Sequence, residues 1–519
     1  ETVMRVIDFF DRGVAINPNV IALEDAKIGR SYGEVQERTY RFANAITAEG
    51  YGRDKMAGVY SPNCVSGLEV MLGLFRAGTI WVPVNAKNGV EENAYILDHN
   101  DVEILFYHSD LAPALEQLRE LCPKIQKFIC LDKQDGAAPW LEDWMAAAPS
   151  TDPDVPLGPD DLVGILSSGG TTGRPKGIML TQLNWTTLIA NYYASFDAGP
   201  DPVHLLITPM THASGVLAIA LMAAGARSVI LPGFDAANVL DTIESEGVTH
   251  LFLPPTAVYM LLSQPEVAQR SFPSLRFFLY AAAPMAIDKL RQCLKIFGPV
   301  MAQCFGQAES PMFCALLTAE DHNVIGDPAR EHRLASCGRP ALLTPMAIMD
   351  DDGNIMPRGE HGEIVVRGNL VMKGYYKNPE ATAEVSQFGW HHTGDIGYLD
   401  DEGYLYIVDR KKDMIISGGF NVYPSEVEQV IWSHPAVQDC AVIGVPDEKW
   451  GEAIKAVIEL KPDATVEPEA IIALCKENLG SVKAPKTVDF WDELPRSPVG
   501  KVRKKDIRDT FWQGQARRI

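Results

Sequence analysis

A glycine-rich segment at residues 167–177 follows directly on the apolar run 162–166. The run has the length and composition of a buried β-strand. Glycines let the backbone direct several N–H groups at one anion, hydroxyl side chains add donors, and Lys176 adds positive charge. The spacing is not that of a Walker loop, because Arg174 and Pro175 interrupt it. The segment predicts a phosphate-binding loop at a strand end, and a flexible surface linker is the alternative.

Length and composition restrict the class of protein. A chain of 519 residues exceeds one ordinary hydrophobic core and predicts two or more domains. A net charge of −22 argues against a nucleic-acid partner. The nine cysteines lack zinc-ligand spacing, which favours a reducing cytoplasm and no structural metal. The longest apolar run, 215–226, is shorter than the roughly 20 residues of a membrane span and predicts a buried helix.

Helical and strand-like patterns alternate up to about residue 334, which indicates an α/β fold with mostly parallel sheets and helices on their faces. Ligands bind such sheets beyond the carboxyl ends of the strands. Short strands and turns over 335–408 indicate a small antiparallel, barrel-like region. A new composition begins at Asp409 and predicts a smaller α+β domain over 409–519. The large N-terminal domain is expected to span 1–408, with subregions at about 1–180, 181–334 and 335–408.

Five later segments, together with the glycine-rich one, resemble the motifs of the adenylate-forming (AMP-binding) enzymes, and within them the acyl- and aryl-CoA ligases. They follow one another in the order of that family, and the resemblance covers roughly residues 30–505. The segments are Phe305-Gly-Gln-Ala-Glu309, Trp390-His-His-Thr-Gly-Asp395, Tyr406-Ile-Val-Asp-Arg410 with the five residues after it, Ser417-Gly-Gly-Phe-Asn-Val-Tyr-Pro424 with the four residues after it, and Pro495-Arg-Ser-Pro-Val-Gly-Lys501.

The resemblance implies an ATP site assembled from several of these segments. Lys501 would bridge carboxylate and α-phosphate oxygens, because adenylation brings negative groups together and needs a positioned positive charge. Glu309 and Thr171 would hold Mg²⁺, a hard cation that prefers oxygen ligands. Asp395 would bind the ribose hydroxyls. The other nucleotide-binding positions that the resemblance implies are Ser168, Gly169, Gly170, Thr172, Gly173, Lys176, Phe305, Gly306, Gln307 and Arg410.

Each of these residue types also has an ordinary structural explanation. Most lysines are solvated, so Lys501 alone would read as part of a basic tail. Glu309 alone would read as an acid in a surface turn, and Asp395 as a helix cap. Phe305 would stack on adenine or simply belong to the core. The motif context favours the nucleotide site over these alternatives.

In this family the thioester forms in the same site after the smaller domain rotates. By that resemblance, Asp409 is the hinge of a mobile C-terminal domain. Rotation would withdraw Lys501 and bring Gly418 and Gly419 to the site. Two adjacent glycines suit a narrow passage for the pantetheine arm of coenzyme A, and an ordinary turn is the alternative.

The resemblance also places the pocket for the carboxylic acid. Small and apolar positions in that pocket favour an apolar or aromatic acid, whether aryl, phenylpropanoid or medium-chain fatty. His212 would act in catalysis by orienting the carboxylate, or would gate the site, and a structural histidine is the alternative. The pocket positions are His212, Ala281, Ala282, Ala283, Gly306 and Met312.

Two positions depart from the family pattern. Gly169 stands where the family loop usually has serine, and Ala308 stands where the adenine motif usually has threonine before Glu309. The loss of one hydrogen bond to a charged group would weaken ATP handling by about 1.5–3 kcal/mol and would not abolish it. We therefore expect a working enzyme.

The sequence as a whole predicts a cytoplasmic acid–thiol ligase that uses ATP, Mg²⁺ and coenzyme A. Its partners are expected to be small molecules, without nucleic acid or an integral membrane segment, and a homodimer is left open. The alternatives are an adenylating enzyme that loads a carrier-protein thiol, a luciferase-like oxidative activity, and a catalytically weak adenylate-binding regulator. Comparison of thiol acceptors, light emission with a luciferin and acid-dependent AMP release distinguish them.

Overall fold

The computed structural model describes residues 3–168, 174–281, 285–497 and 500–512. Within these ranges the chain forms four β-sheets with helices packed between and around them. Two large mixed sheets come first, a small antiparallel sheet follows, and a further mixed sheet lies at the C-terminal end. The predicted α/β class, with a large N-terminal part and a smaller C-terminal part, is confirmed.

The strands, in chain order, are β1 Ile21–Glu24, β2 Gly29–Ser31, β3 Met56–Tyr60, β4 Ile80–Val84, β5 Ile104–Tyr107, β6 Lys127–Cys130, β7 Leu162–Ser167, β8 Gly177–Thr181, β9 Val203–Leu206, β10 Arg227–Ile230, β11 His250–Leu253, β12 Phe277–Tyr280, β13 Met301–Gln307, β14 Ser310–Leu317, β15 Arg339–Pro340, β16 Met346–Met349, β17 Gly362–Val366, β18 Gly374–Tyr375, β19 His391–Leu399, β20 Leu405–Arg410, β21 Ile415–Ser417, β22 Phe420–Val422, β23 Val437–Asp447, β24 Gly451–Leu460 and β25 Thr487–Phe490.

The α-helices, in chain order, are α1 Val6–Ile16, α2 Tyr32–Ala48, α3 Val65–Ala77, α4 Val90–His99, α5 Leu115–Leu121, α6 Leu141–Met145, α7 Gln182–Ser195, α8 Ala213–Met222, α9 Ala236–Glu246, α10 Pro255–Leu262, α11 Ile287–Phe297, α12 Pro379–Glu384, α13 Pro424–Trp432, α14 Pro468–Leu479 and α15 Lys504–Trp512. Short 3₁₀ helices occupy Ser109–Ala114, Val267–Gln269, Glu331–Ala335, Gln387–Gly389 and Lys411–Asp413.

Both large sheets have a parallel centre and antiparallel strands at an edge. One has the strand order β15-β14-β13-β12-β11-β9-β10-β1-β2 and is parallel from β13 to β1. The other has the order β18-β8-β7-β4-β3-β5-β6 and is parallel from β7 to β6. The glycine-rich segment connects β7 to its antiparallel neighbour β8, with Ser167 opposite Gly177. It therefore begins at the carboxyl end of a strand, as predicted.

Buried helices join the two large sheets into one core. Every residue of α3 is buried, and α8 is buried from Ser214 to its end. These helices share one hydrophobic cluster with Trp81 of one sheet and Leu206 of the other. The apolar run at 215–226 is thus largely a buried helix, as predicted. Among the helices of the described residues, none has the length and hydrophobicity required of a membrane-spanning segment.

The chain passes from the antiparallel sheet to the C-terminal sheet after β20. The antiparallel sheet has the order β16-β17-β19-β20, and Asp409 is the penultimate residue of its last strand. The C-terminal sheet has the order β22-β21-β24-β23, with β25 parallel to β24. The predicted change at Asp409 therefore falls one residue before a strand end.

Local sequence signals explain several helix starts. Ser31 caps α2 by accepting a hydrogen bond from the backbone N–H of Glu34, whose carboxylate accepts one from the Ser31 N–H. Pro424 occupies the first turn of α13, where its missing N–H costs no helical hydrogen bond. Both starts agree with the sequence pattern.

Candidate active site

The glycine-rich loop is closed at its base by two hydrogen bonds. The backbone N–H of Ser168 donates to the Lys176 carbonyl at 3.0 Å, and the backbone N–H of Lys176 donates to Ser168 Oγ at 2.9 Å. The Lys176 ammonium lies 5.1 Å from the centroid of the Tyr375 ring. The tip of the loop, Gly169, Gly170, Thr171, Thr172 and Gly173, lies outside the described residues.

Tyr375 also connects the loop to Glu309. Its hydroxyl donates to Glu309 Oε1 at 2.8 Å, so one buried ring contacts the loop lysine on its face and the carboxylate at its edge. Glu309 lies in the turn between β13 and β14 and is half-buried. Strand β18 carries Tyr375 beside β8, which follows the loop directly. The pairing of strands distant in sequence therefore brings the two predicted phosphate-side residues together.

The adenine motif requires glycine at its second position. A Cβ on Gly306 would stand 2.5–2.6 Å from the Met312 backbone, closer than real Cβ contacts. Met312 itself has a φ of 56°, so the backbone of β14 is not extended at the residue that lies against Gly306. Phe305 is 8% exposed and belongs to the hydrophobic core, so its predicted stacking on adenine stays a prediction.

Gln307 of the adenine motif forms hydrogen bonds with the segment that contains Thr-Gly-Asp. Its amide Nε2 donates to the Thr393 carbonyl at 2.9 Å, and its Oε1 lies 2.8 Å from His391 Nε2. The Thr393 hydroxyl in turn donates to the Ile364 carbonyl in the neighbouring strand. The predicted adenine and ribose motifs are therefore directly hydrogen-bonded to each other.

Asp395 is a buried carboxylate that faces cations. It is 5% exposed, and Arg410 Nε lies 3.0 Å from its Oδ1. Burial raises the pKa of Asp395 to about 6, although attraction to Arg410 and Lys501 acts in the opposite direction. Repulsion from Asp409 and Glu309 adds to the increase. All four predicted site residues therefore lie close enough to influence one carboxylate.

Lys501 reaches this cluster from the C-terminal part of the chain. The Gly500 carbonyl accepts a hydrogen bond from the Thr256 hydroxyl at 3.4 Å, and Gly500 has a φ of 84°, which favours glycine. Lys501 is open to solvent but surrounded by the facing parts of the protein. That desolvation and repulsion from Arg410 lower the pKa of Lys501 to about 8, while Asp395 raises it.

His212 borders the same space. It precedes α8, is exposed to solvent, and its Nδ1 lies 2.8 Å from the Thr211 hydroxyl. Desolvation by the surrounding protein and repulsion from Lys501 lower the pKa of His212, so a neutral imidazole faces the lysine. Ala281, another predicted pocket residue, is buried at the end of β12. Ala282 and Ala283 lie outside the described residues.

This geometry coincides with sequence similarity along the whole chain. The sequence pattern of the AMP-binding enzyme family matches residues 10–376, and that of the AMP-binding enzyme C-terminal domain matches residues 426–501. The chain belongs to the AMP-binding enzyme family. The predicted resemblance to adenylate-forming enzymes is thereby confirmed.

Individual relatives of this AMP-binding enzyme agree with the assignment. The chain is 35% identical to the medium/long-chain-fatty-acid–CoA ligase FadD8 of Mycobacterium tuberculosis, over 97% of the chain and 89% of that protein. It is 34% identical to a feruloyl-CoA synthase of an Amycolatopsis species, over 96% and 98%. The crystal structure of ATP-bound MatB from Rhodopseudomonas palustris superposes with a TM-score of 0.88 at 29% identity, covering 98% of the chain and 99% of that structure.

The predicted hinge lies beside the cluster, and the two glycines follow it along the chain. The Asp409 carboxylate accepts hydrogen bonds from the backbone N–H groups of Arg410, at 2.7 Å, and Ser425, at 2.9 Å. Gly418 and Gly419 form the tight turn between β21 and β22, both with positive φ. A Cβ on Gly418 would stand 2.7 Å from the ring of Trp450, whose carbonyl accepts the Gly418 N–H.

The residues on the phosphate side suit Mg²⁺. Glu309 offers a carboxylate at the site. The Tyr375 hydroxyl donates to one oxygen of that carboxylate and fixes its orientation, and this bond does not occupy the other oxygen. Hard oxygen donors of this type are what Mg²⁺ prefers. Thr171, the second predicted ligand, lies outside the described residues. The metal would neutralise phosphate charge, and the protein would supply Glu309 to hold it.

Sequence reasoning missed two residues of the site. Tyr375 has no local signal, because only the pairing of β18 with β8 brings it to Glu309. Thr256 had no predicted contact with the loop of Lys501, yet its hydroxyl donates to the Gly500 carbonyl. Both roles arise from long-range packing, which a motif does not encode.

We expect a bell-shaped pH dependence of kcat/KM for acid-dependent pyrophosphate exchange. Asp395 must be ionised to accept ribose hydroxyls, so activity falls as pH drops through about 6. Lys501 must be protonated to neutralise phosphate, so activity falls as pH rises through about 8. The measurement uses an acid that stays ionised throughout. In Lys501→Arg the alkaline limb should move to higher pH, and an unmoved limb contradicts the assignment.

Proposed function

We propose that this AMP-binding enzyme is an ATP-dependent carboxylate:CoA ligase for an apolar or aromatic acid. A substrate carboxylate oxygen attacks the α-phosphorus, the bond to pyrophosphate breaks, and an acyl adenylate forms. The coenzyme A thiol then loses its proton and attacks the acyl carbon, and AMP leaves. Nine unpaired cysteines, all in described parts of the chain, support a cytoplasmic setting.

The observation that carries this proposal is the position of Lys501. It comes from the C-terminal end of the chain but lies within electrostatic reach of Asp395, Arg410 and His212. Two anions must meet during adenylation, and a positioned cation lowers the barrier to their approach. Because the adjacent His212 is neutral, it adds no second positive charge that would compete with Lys501 for the substrate carboxylate. Its ring N–H can still orient that carboxylate by a hydrogen bond.

The nucleotide is held by residues on both sides of the cleft. Asp395 accepts hydrogen bonds from the ribose hydroxyls, and Arg410, already 3.0 Å from it, keeps the carboxylate ionised. Lys176 and the loop N–H groups bind the β- and γ-phosphates. Glu309 would hold Mg²⁺, which would supply positive charge against the phosphates. Ala308 leaves the site without the hydroxyl that usually precedes Glu309, and the Glu309 carboxylate accepts a hydrogen bond from Tyr375.

The acid class follows from the lining and from the relatives. Ala281 and Met312, two predicted pocket positions, are small or apolar. FadD8 is named for medium- and long-chain fatty acids, and the Amycolatopsis relative is named for feruloyl-CoA. Both names describe acids with a large apolar body. We therefore place aliphatic and aromatic acids ahead of amino acids.

We further propose two conformational states, with residues 409–519 turning about Asp409 against 1–408. Within the larger part we retain the expected subregions near 1–180, 181–334 and 335–408. The contact of Gly500 with Thr256 supports the described arrangement as the state for adenylation. A turn about Asp409 would withdraw Lys501 and carry Gly418 and Gly419 to the adenylate for attack by the thiol.

Incubation with ATP, Mg²⁺, coenzyme A and a panel of carboxylic acids tests the function. We expect AMP, pyrophosphate and acyl-CoA in equal amounts, with the highest kcat/KM for an aliphatic or aromatic acid. A carrier-protein thiol, an amine and oxygen with a luciferin serve as competing second substrates. Acid-dependent AMP release without acyl-CoA, or acyl transfer to the carrier protein alone, contradicts the ligase proposal.

Gly419→Asn tests the two-state proposal. No atom of the described residues lies within 4 Å of a Cβ at Gly419, and asparagine tolerates its φ of 81°. We therefore expect pyrophosphate exchange to change by less than about twofold, while acyl-CoA formation from supplied adenylate falls roughly tenfold as the passage narrows. Gly480→Asn, at an equally open glycine with a φ of 81°, is the matched control. If Gly419→Asn changes the rates of both half-reactions by the same factor relative to wild type, the proposed role of this turn is contradicted.

A further inference from the structure

Three buried carboxylates meet behind the active site, where β20 leads into the C-terminal part. Asp409 is the penultimate residue of β20, Asp413 closes the following 3₁₀ helix, and Glu428 lies on α13. Each is at most 9% exposed. Buried carboxylates stay ionised only beside cations or hydrogen-bond donors. The proposed function uses Asp409 as hinge and leaves the other two acids without a role.

Lys504 is the cation that faces all three acids. Its Nζ lies 2.5 Å from Glu428 Oε1, and its charge also acts on Asp409 and Asp413. Burial desolvates the ammonium, but attraction to the three carboxylates raises the pKa of Lys504 above its ordinary value. Arg508, one turn further along α15, adds a second ion pair with Asp413 at 2.9 Å. We call Lys504 and the three acids the hinge cluster.

The position of Lys504 on its own helix is unfavourable. It is the first residue of α15, where the helix dipole favours an acid and disfavours a cation. Local helix stability therefore does not explain a lysine at this position. Such conflicts between local preference and tertiary contacts are expected where a residue serves function.

The hinge cluster connects two groups of the proposed adenylation site. On one side, Lys504 follows Lys501 by three residues. The Arg503 N–H donates to the Pro495 carbonyl at 2.8 Å and so closes the base of the loop that carries Lys501. On the other side, the Asp409 carboxylate accepts the Arg410 N–H at 2.7 Å. Arg410 in turn pairs with Asp395. Lys504 therefore links the loop that carries Lys501 to the segment that carries Arg410.

We propose that Lys504 is a positioning residue for adenylation. The hinge cluster holds the loop of Lys501 in register with the hinge and with Arg410, so that the ammonium reaches the substrate phosphate when the C-terminal part docks. Lys504 acts through the position of Lys501 and does not touch substrate. The inference rests on the proposed ligase function, and wild-type exchange activity is the separate test of that function.

The first test compares Lys504→Met with Arg503→Met, which removes a neighbouring charge whose ion pair with Asp506 is largely exposed. We expect kcat for pyrophosphate exchange to fall roughly 10- to 100-fold in Lys504→Met, with KM for ATP and thioester formation from supplied adenylate within about twofold. Arg503→Met should stay near wild type, and Lys504→Arg should recover most of the rate. Equal loss in both half-reactions, or no loss, overturns the proposal.

A double-mutant cycle separates positioning from general stability. If Lys504 acts through Lys501, adding Lys504→Met to Lys501→Ala should cause no further loss of exchange. Multiplicative losses overturn the proposal. Where Lys504→Met does not fold, Lys504→Met with Glu428→Gln removes both charges of the pair and keeps an oxygen that can accept the Val442 N–H. That variant should fold and retain thioester formation but lose exchange activity, and retained exchange likewise overturns the proposal.

Discussion

The Asp395 carboxylate is the point on which the candidate site depends. It is buried, and burial alone would favour its neutral form. Arg410 and Lys501 face it from two segments of the C-terminal third of the chain. Asp395 and Lys501, proposed to bind the ribose and to serve adenylation, thus stabilise each other's charged forms. These three charges lie together only while the loop of Lys501 stays docked near Thr256.

The phosphate side is built differently. Lys176, Tyr375 and Glu309 are connected through strand pairing and core packing within the two large sheets. Their arrangement does not involve the C-terminal sheet. One half of the site is therefore fixed by the fold, whereas the other half is supplied by a docked segment. This division suits an enzyme that performs two reactions in one place, because only the docked half has to change between them.

Sequence reasoning predicted the elements that local patterns determine. The cap at Ser31, the proline start of α13 and the strand before the glycine-rich loop follow from residue type and spacing. The motifs identified the family, because each carries a recognisable chemical group in a fixed order. Helix ends differ by a few residues from the sequence pattern: the apolar run spans 215–226, whereas α8 runs from Ala213 to Met222.

Contacts between distant segments could not be predicted in this way. Tyr375 carries no motif of its own, and its hydrogen bond to Glu309 depends on sheet order. Lys504 looked like part of a basic tail, yet it is paired with Glu428 in the hinge cluster. Phe305 matched an adenine-stacking position and is part of the core in the described structure. In each case the contacts of the residue are determined by its burial among residues that are far away in sequence.

The central claim is that Lys501 serves adenylation alone, and the rates of the two half-reactions in Lys501→Ala test it most directly. Removing one preorganised charge at a developing negative centre typically costs about 10²–10³ in rate. We expect a loss of that size in acid-dependent pyrophosphate exchange, with thioester formation from supplied acyl adenylate within about twofold of wild type. Losses of similar size in both half-reactions would contradict the claim.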